Sequence, residues 1–93
     1  MNKINQAMEK GQIIESVRQF ILNQFPTARR RSLGEADPLL ESGIIDSLGV
    51  LDVVEFLESE FKVNISDDDL TPENFQSIAQ ITAFIEKKLA SAA

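Results

Sequence analysis

The sequence predicts an all-α fold, a small four-helix bundle with a short third helix and a long first loop, on three observations. Apolar residues recur at helical spacing in three separate stretches, 12–25, 47–62 and 78–89. Between the first two lies a segment, 26–45, that holds Pro26, Gly34, Pro38 and Gly43 and shows no periodicity of its own. The whole chain is 93 residues without a cysteine, which is one domain with one modest core and no disulfide framework to support it.

Taken in order, residues 1–11 are polar and aperiodic and read as a flexible N-terminal extension. From Gln12 to Phe25, Ile14, Val17, Ile21 and Phe25 form one stripe, Ile13 and Phe20 flank it, and Arg18, Gln19, Asn23 and Gln24 lie opposite. This predicts an amphipathic helix that Pro26 ends. The loop that follows is long for so small a domain, and such loops are usually functional or contain undetected structure. Leu33, Leu39, Leu40 and Ile44 predict that it folds back over the bundle. Its Arg29-Arg30-Arg31 run has two readings, a contact for an anion or acidic partner and a solvated loop tip that balances an acidic chain.

The second helix is expected to begin at Asp46 or Ser47 and to run to about Lys62, with Asp46 as N-cap because its carboxylate can accept from an orphan N–H of the first turn. Val50, Val53, Val54, Leu57 and Phe61 make the core stripe. On the opposite face Leu48, Asp52, Glu55 and Ser59 line up, with Glu58 and Glu60 to the sides. One reading is a docking strip, an apolar contact plus charges that steer a basic partner. The other is an ordinary solvated acidic face with one exposed leucine.

Beyond Lys62, Val63 and Ile65 lead to a turn at Ser66-Asp67-Asp68-Asp69. Its aspartates suggest calcium, but counting from Asp67 the sixth position is Pro72, where a calcium loop needs glycine, and the twelfth is Ile78, where it needs glutamate. No metal site is expected. Thr71 and Pro72 suit the N-cap and first position of a short third helix over TPENF, with Phe75 buried. Ser77 and Gln80 fit a capping box for the last helix, whose inward stripe is Ile78, Ile81, Ile85 and Leu89, with Phe84 beside it and Lys87 and Lys88 near its C-terminal end. Residues 12–89 thus form the domain, and 90–93 are a frayed tail.

Composition removes several function classes. Nine basic and fifteen acidic residues give a net charge of −6, which argues against nucleic acid and anionic membranes and for partners with basic patches. With neither cysteine nor histidine there is no Ser-His-Asp triad, no Cys-His pair and no ordinary zinc site, so no catalytic residue is assigned and the chain does not read as an enzyme. Ser47 has no base beside it, but at a helix N-terminus it stands where a phosphate is stabilised. No apolar run has the length of a membrane span or of a signal peptide's core, so a cytoplasmic monomer is expected.

Asp46-Ser47-Leu48 alone signals only a helix cap. Its surroundings make it specific: Asp37-Pro38-Leu39 and Gly43 upstream, the apolar-acidic helix with Glu58-Ser59-Glu60-Phe61 downstream, the acidic turn, and the order of the helices. Together, from Gln12 to Leu89, they resemble the acyl carrier protein family, so the bundle is expected to be of acyl-carrier type and residues 12–89 a carrier domain.

The resemblance implies that a phosphopantetheinyl transferase moves 4′-phosphopantetheine from coenzyme A onto Ser47 through a phosphodiester. The thiol so gained carries acyl or aminoacyl thioesters between partner enzymes, in fatty acid, polyketide or related specialised biosynthesis. Asp46 is implied as the adjacent residue, a cap and a contact for the transferase's metal, and Leu48, Asp52, Glu55 and Ser59 as partner-binding positions. The implied partners are the transferase and adenylate-forming acyl or aminoacyl ligases or synthase enzymes with basic docking patches.

Two departures narrow this. Many fatty-acid carriers have an apolar residue where Glu55 stands and an acid where Ser59 stands. They also commonly place glycine three residues before the serine, whereas Gly43 is four before Ser47. This spacing looks more like the stand-alone carriers of D-alanine and other amino acids or of specialised acyl pathways. The alternative is a helical interaction module of the same fold that is never modified.

Overall fold

The computed structural model describes residues 9–29 and 33–91. Four α-helices, α1 (Lys10–Gln24), α2 (Pro26–Arg29), α3 (Ser47–Phe61) and α4 (Ile78–Ser91), are joined by irregular chain, and two 3-10 turns, Asp67–Asp69 and Pro72–Phe75, lie between α3 and α4. Among the described residues there is no strand. The expected all-α bundle is therefore present, with three long helices around a core of Ile13, Val17, Ile21, Val53, Leu57, Ile78, Ile81 and Ile85. Arg30 and Arg31 of the basic run, residues 1–8 of the expected extension and residues 92–93 of the expected tail lie outside the described residues.

The expected helix boundaries shift for local reasons. α1 starts at Lys10 rather than Gln12, because the Glu9 N–H donates back to Gln12 Oε1 at 3.0 Å and closes the first turn. Pro26 ends α1 as expected and then opens α2, where its fixed φ and missing N–H suit a first helical position. The long first loop thus contains a helical turn, which drives Ala28 fully into the core. The expected short third helix is present as the 3-10 turn Pro72–Phe75, where the Asn74 N–H reaches the Thr71 carbonyl at 3.1 Å. α4 continues past Leu89 to Ser91, and at its start Ser77 Oγ accepts from the Gln80 N–H at 3.2 Å.

The segment 33–46 packs down as its leucines and isoleucines predict. Leu39, Ile44 and Ile45 are buried. Two backbone bonds fasten it to the far end of the sequence: the Leu39 N–H donates to the Gln76 carbonyl at 2.7 Å, and the Ala79 N–H to the Glu35 carbonyl at 2.9 Å. Gly43 makes the last turn with φ +81°, a conformation that costs glycine little.

After α3 the chain leaves through Lys62 in the left-handed region, φ 56°, and Glu58 Oε2 accepts from the Ile65 N–H at 3.0 Å. Asp69 is tied to Lys88 of α4 by an ion pair of 2.6 Å. That bond, followed by one from the Ser66 N–H, holds the Asp69 carboxyl below its ordinary range. Phe20 of α1 stacks on Phe56 of α3, with ring centroids 4.3 Å apart.

One polar group in the core lacks a partner. Thr82 is fully buried on α4 and its Oγ1 accepts and donates no hydrogen bond. Thr82→Val keeps the shape, removes the unpaired hydroxyl and changes helix propensity little. The variant is expected to be more stable by about 1 kcal/mol, read as a higher urea midpoint with an unchanged slope.

Candidate functional site

The start of α3 is fixed from three directions. Asp46, in extended conformation (φ −102°, ψ −175°), caps the helix, its Oδ1 accepting from the Gly49 N–H at 2.7 Å while its carbonyl accepts from the Val50 N–H at 3.0 Å. Gly49 is buried against Phe25 and Ile45; a Cβ there would stand 2.8 Å from Phe25 Cε1 and 3.0 Å from Ile45 Cγ2. Only a residue without a side chain lets α3 begin this close to the end of α1. Behind it, Ile44 and Ile45 anchor the preceding turn in the core.

Ser47 is the first residue of α3 and is exposed. The capping bond is made by Asp46, so the serine hydroxyl is not used to close the helix. The cap predicts a separable effect. Asp46→Ala is expected to lower stability by about 1 kcal/mol, whereas Asp46→Asn, an equally good cap, is expected to leave it within a few tenths. Thermal unfolding of the two variants checks this, and equal losses would show that the bond to Gly49 contributes nothing.

Leu48, Asp52, Glu55 and Ser59 are all exposed, as their spacing predicts, and they share the outer side of α3. Leu48 is 75% exposed. Asp52 Oδ2 is also approached by Gln24 Nε2 of α1 at 3.5 Å, so the strip borders α1 rather than standing clear of it. Glu58, placed beside the strip by periodicity, is half-buried and occupied with the Ile65 N–H.

The sequence reading missed Leu51. It is 53% exposed and, four residues after Ser47, lies on the serine's own side of the helix. Leu48 and Leu51 border different depressions. Leu48 lines one of about 320 Å³ with Asp46, Phe25, Pro26 and Ile44. Leu51 lines a groove of about 250 Å³ that includes Ser47, to which α3 adds Val50, the first connection Leu40, and the segment after the acidic turn Leu70, Pro72 and Phe75. The spacing from Ser47 to Leu51 could have flagged the residue; the opposing wall could not be read, because it comes from a non-helical segment.

The serine is thus accessible, at the positive end of a fifteen-residue helix, with a mostly apolar groove on one side and a leucine-aspartate face on the other. An attached phosphodiester and a flexible, partly apolar arm fit such a place. The chain has no histidine or cysteine to pair with the Ser47 hydroxyl. Among the described residues no group of histidine, cysteine, aspartate or glutamate side chains is arranged to hold a metal ion, and no helix is long and apolar enough to cross a membrane.

Comparison with known proteins bears on the same segment. The family described as "Phosphopantetheine attachment site" matches residues 19–85, from within α1 to within α4. The chain is also similar to the probable acyl carrier protein PigG of Serratia sp. (strain ATCC 39006), with 33% identity over 67 residues, covering 72% of this chain and 77% of that protein.

Proposed function

We propose a role for individual residues from one premise: this chain belongs to the acyl carrier protein family, whose members carry 4′-phosphopantetheine. It is a carrier rather than an enzyme. Ser47 is the attachment residue. The observation that supports this most directly is its position, an exposed hydroxyl on the first residue of α3, inside the matched region, with its cap supplied by a neighbour.

In the modification Ser47 Oγ forms a bond to the phosphorus of coenzyme A's pantetheine phosphate and gives up its proton. The phosphoanhydride bond breaks and 3′,5′-ADP leaves. A separate phosphopantetheinyl transferase supplies the base and the metal: the chain has no histidine or cysteine, and among the described residues no group of side chains is arranged to hold a metal ion. Asp46, beside the serine, keeps the helix capped and offers its carboxylate to the transferase's magnesium. When bound, the group supplies the thiol the sequence lacks and holds acyl or aminoacyl cargo as a thioester.

Partner enzymes dock on Leu48, Asp52, Glu55 and Ser59. With a net charge of −6, the chain suits transferases, adenylate-forming ligases and synthases that present basic patches. The spacing of Gly43 from Ser47 and the identities of Glu55 and Ser59 favour specialised acyl or aminoacyl traffic over housekeeping fatty-acid synthesis.

Intact mass before and after incubation with coenzyme A, magnesium and a broad-specificity phosphopantetheinyl transferase tests the reading. A gain of one phosphopantetheine per chain is expected. No gain from a demonstrably unmodified preparation would leave an interaction module that keeps the fold without the cofactor.

A further inference from the structure

Resting on the carrier reading, we infer that the surface receiving the phosphopantetheinyl transferase spans the seam between α1 and α3, and that the hollow in this seam takes an arginine of the transferase against the Phe20 and Phe56 rings.

Three observations carry this. The hollow, of about 390 Å³, is lined by Phe20 and Gln24 of α1 and by Asp52, Glu55, Phe56 and Ser59 of α3. Asp52, Glu55 and Ser59 belong to the outer strip of α3, so the hollow continues that strip onto a second helix. Its apolar part is aromatic: Phe20 and Phe56 stack at 4.3 Å between centroids, yet both are only half-buried and both line the hollow. Its charge is negative and unbalanced. Asp52 and Glu55 are exposed, and among the described residues no lysine or arginine lines the hollow. The donor that this chain offers there is the neutral Gln24 amide, 3.5 Å from Asp52 Oδ2, at the outer limit of a hydrogen bond.

Two carboxylates beside a pair of rings select a cation with a flat face. Arginine fits this better than lysine, because its planar guanidinium is weakly hydrated, stacks on aromatic rings and pairs with carboxylates through two parallel N–H groups. Room is sufficient: an enclosed cavity of about 150 Å³ accommodates benzene, and this open hollow is larger. The neighbouring hollow that holds Leu48 and Phe25 shares Asp52 with it. The transferase thus meets an apolar contact next to Ser47 and a cation site around Glu55, eight residues or about 12 Å further along α3. Two such points fix the direction in which the serine is approached, and α1 supplies part of the second.

The experiment uses full-length protein, coenzyme A, magnesium and a broad-specificity phosphopantetheinyl transferase. Intact mass of the unsubstituted protein comes first, so failure of the carrier reading appears there, before the hollow is tested. KM and kcat for the carrier are then compared among variants. Gln24→Arg places a guanidinium of the chain's own beside Asp52 and is expected to raise KM about tenfold, with kcat within about twofold. Gln19→Arg makes the same charge change at an exposed position of α1 outside the hollow, and is expected to leave KM within about twofold. Phe56→Leu keeps both carboxylates and removes one ring; assayed well below its thermal midpoint, it is expected to raise KM about fivefold with kcat unchanged. An unchanged KM in Gln24→Arg or in Phe56→Leu would overturn the inference. So would equal increases in Gln24→Arg and Gln19→Arg, which would reduce the effect to net charge.

Discussion

Ser47→Ala is expected to gain no mass from coenzyme A and transferase under conditions that convert the unsubstituted protein completely, while its unfolding free energy, from urea titration, stays within about 0.5 kcal/mol. The two halves belong together. On the proposed assignment this chain contributes a single accepting oxygen, so the effect of its removal is absolute rather than graded. Stability is indifferent because the hydroxyl is exposed, the helix is capped by Asp46 through the Gly49 N–H, and alanine is at least as good a helix former as serine. Ser59, exposed on the same helix three turns on, is an internal control. A mass gain that survives in Ser47→Ala would mean another hydroxyl is used and the site assignment is wrong.

Leu48→Glu is expected to slow modification and loading at low protein concentration by about 30-fold, equivalent to about 2 kcal/mol of a central apolar contact, with folding stability within about 0.5 kcal/mol. Leucine at this position is 75% exposed and packs against little of its own protein, so the bundle loses almost nothing. Glutamate adds charge of the sign that Asp52 and Glu55 already present, so attraction to a basic partner is kept and the loss isolates the apolar contact. Titrating the transferase and ligase rates against carrier concentration separates binding from turnover. Unchanged rates with both enzymes would show the face to be passive.

Much of this was legible in the sequence wherever a regular element and a capping residue coincide. The start of α3 is the clearest case, because Asp46 is a favourable capping residue followed at once by helical periodicity. The exposed strip follows from the same periodicity. What was not legible depends on segments without a period. Pro26 reads as a terminator and gives no sign that the chain resumes a helical turn as α2. Phe20 and Phe56 each fall beside their helix's stripe, and only the packing of α1 on α3 shows that they stack. Leu51 sits between the core and the outer strip, and its exposure is set by where the Leu70–Phe75 segment stops, which no local pattern encodes.

The bonds between Leu39 and Gln76 and between Glu35 and Ala79 have a consequence for timing. Chains are synthesised from the N-terminus at about 5–20 residues per second, so Ser47 leaves the ribosome well before the residues that clasp the turn in front of it. Until Gln76 and Ala79 arrive, the two backbone bonds that fasten that segment to the far end of the chain are missing. The serine's presentation in the finished bundle therefore includes contacts that a nascent chain, or a short peptide carrying the motif, does not yet have.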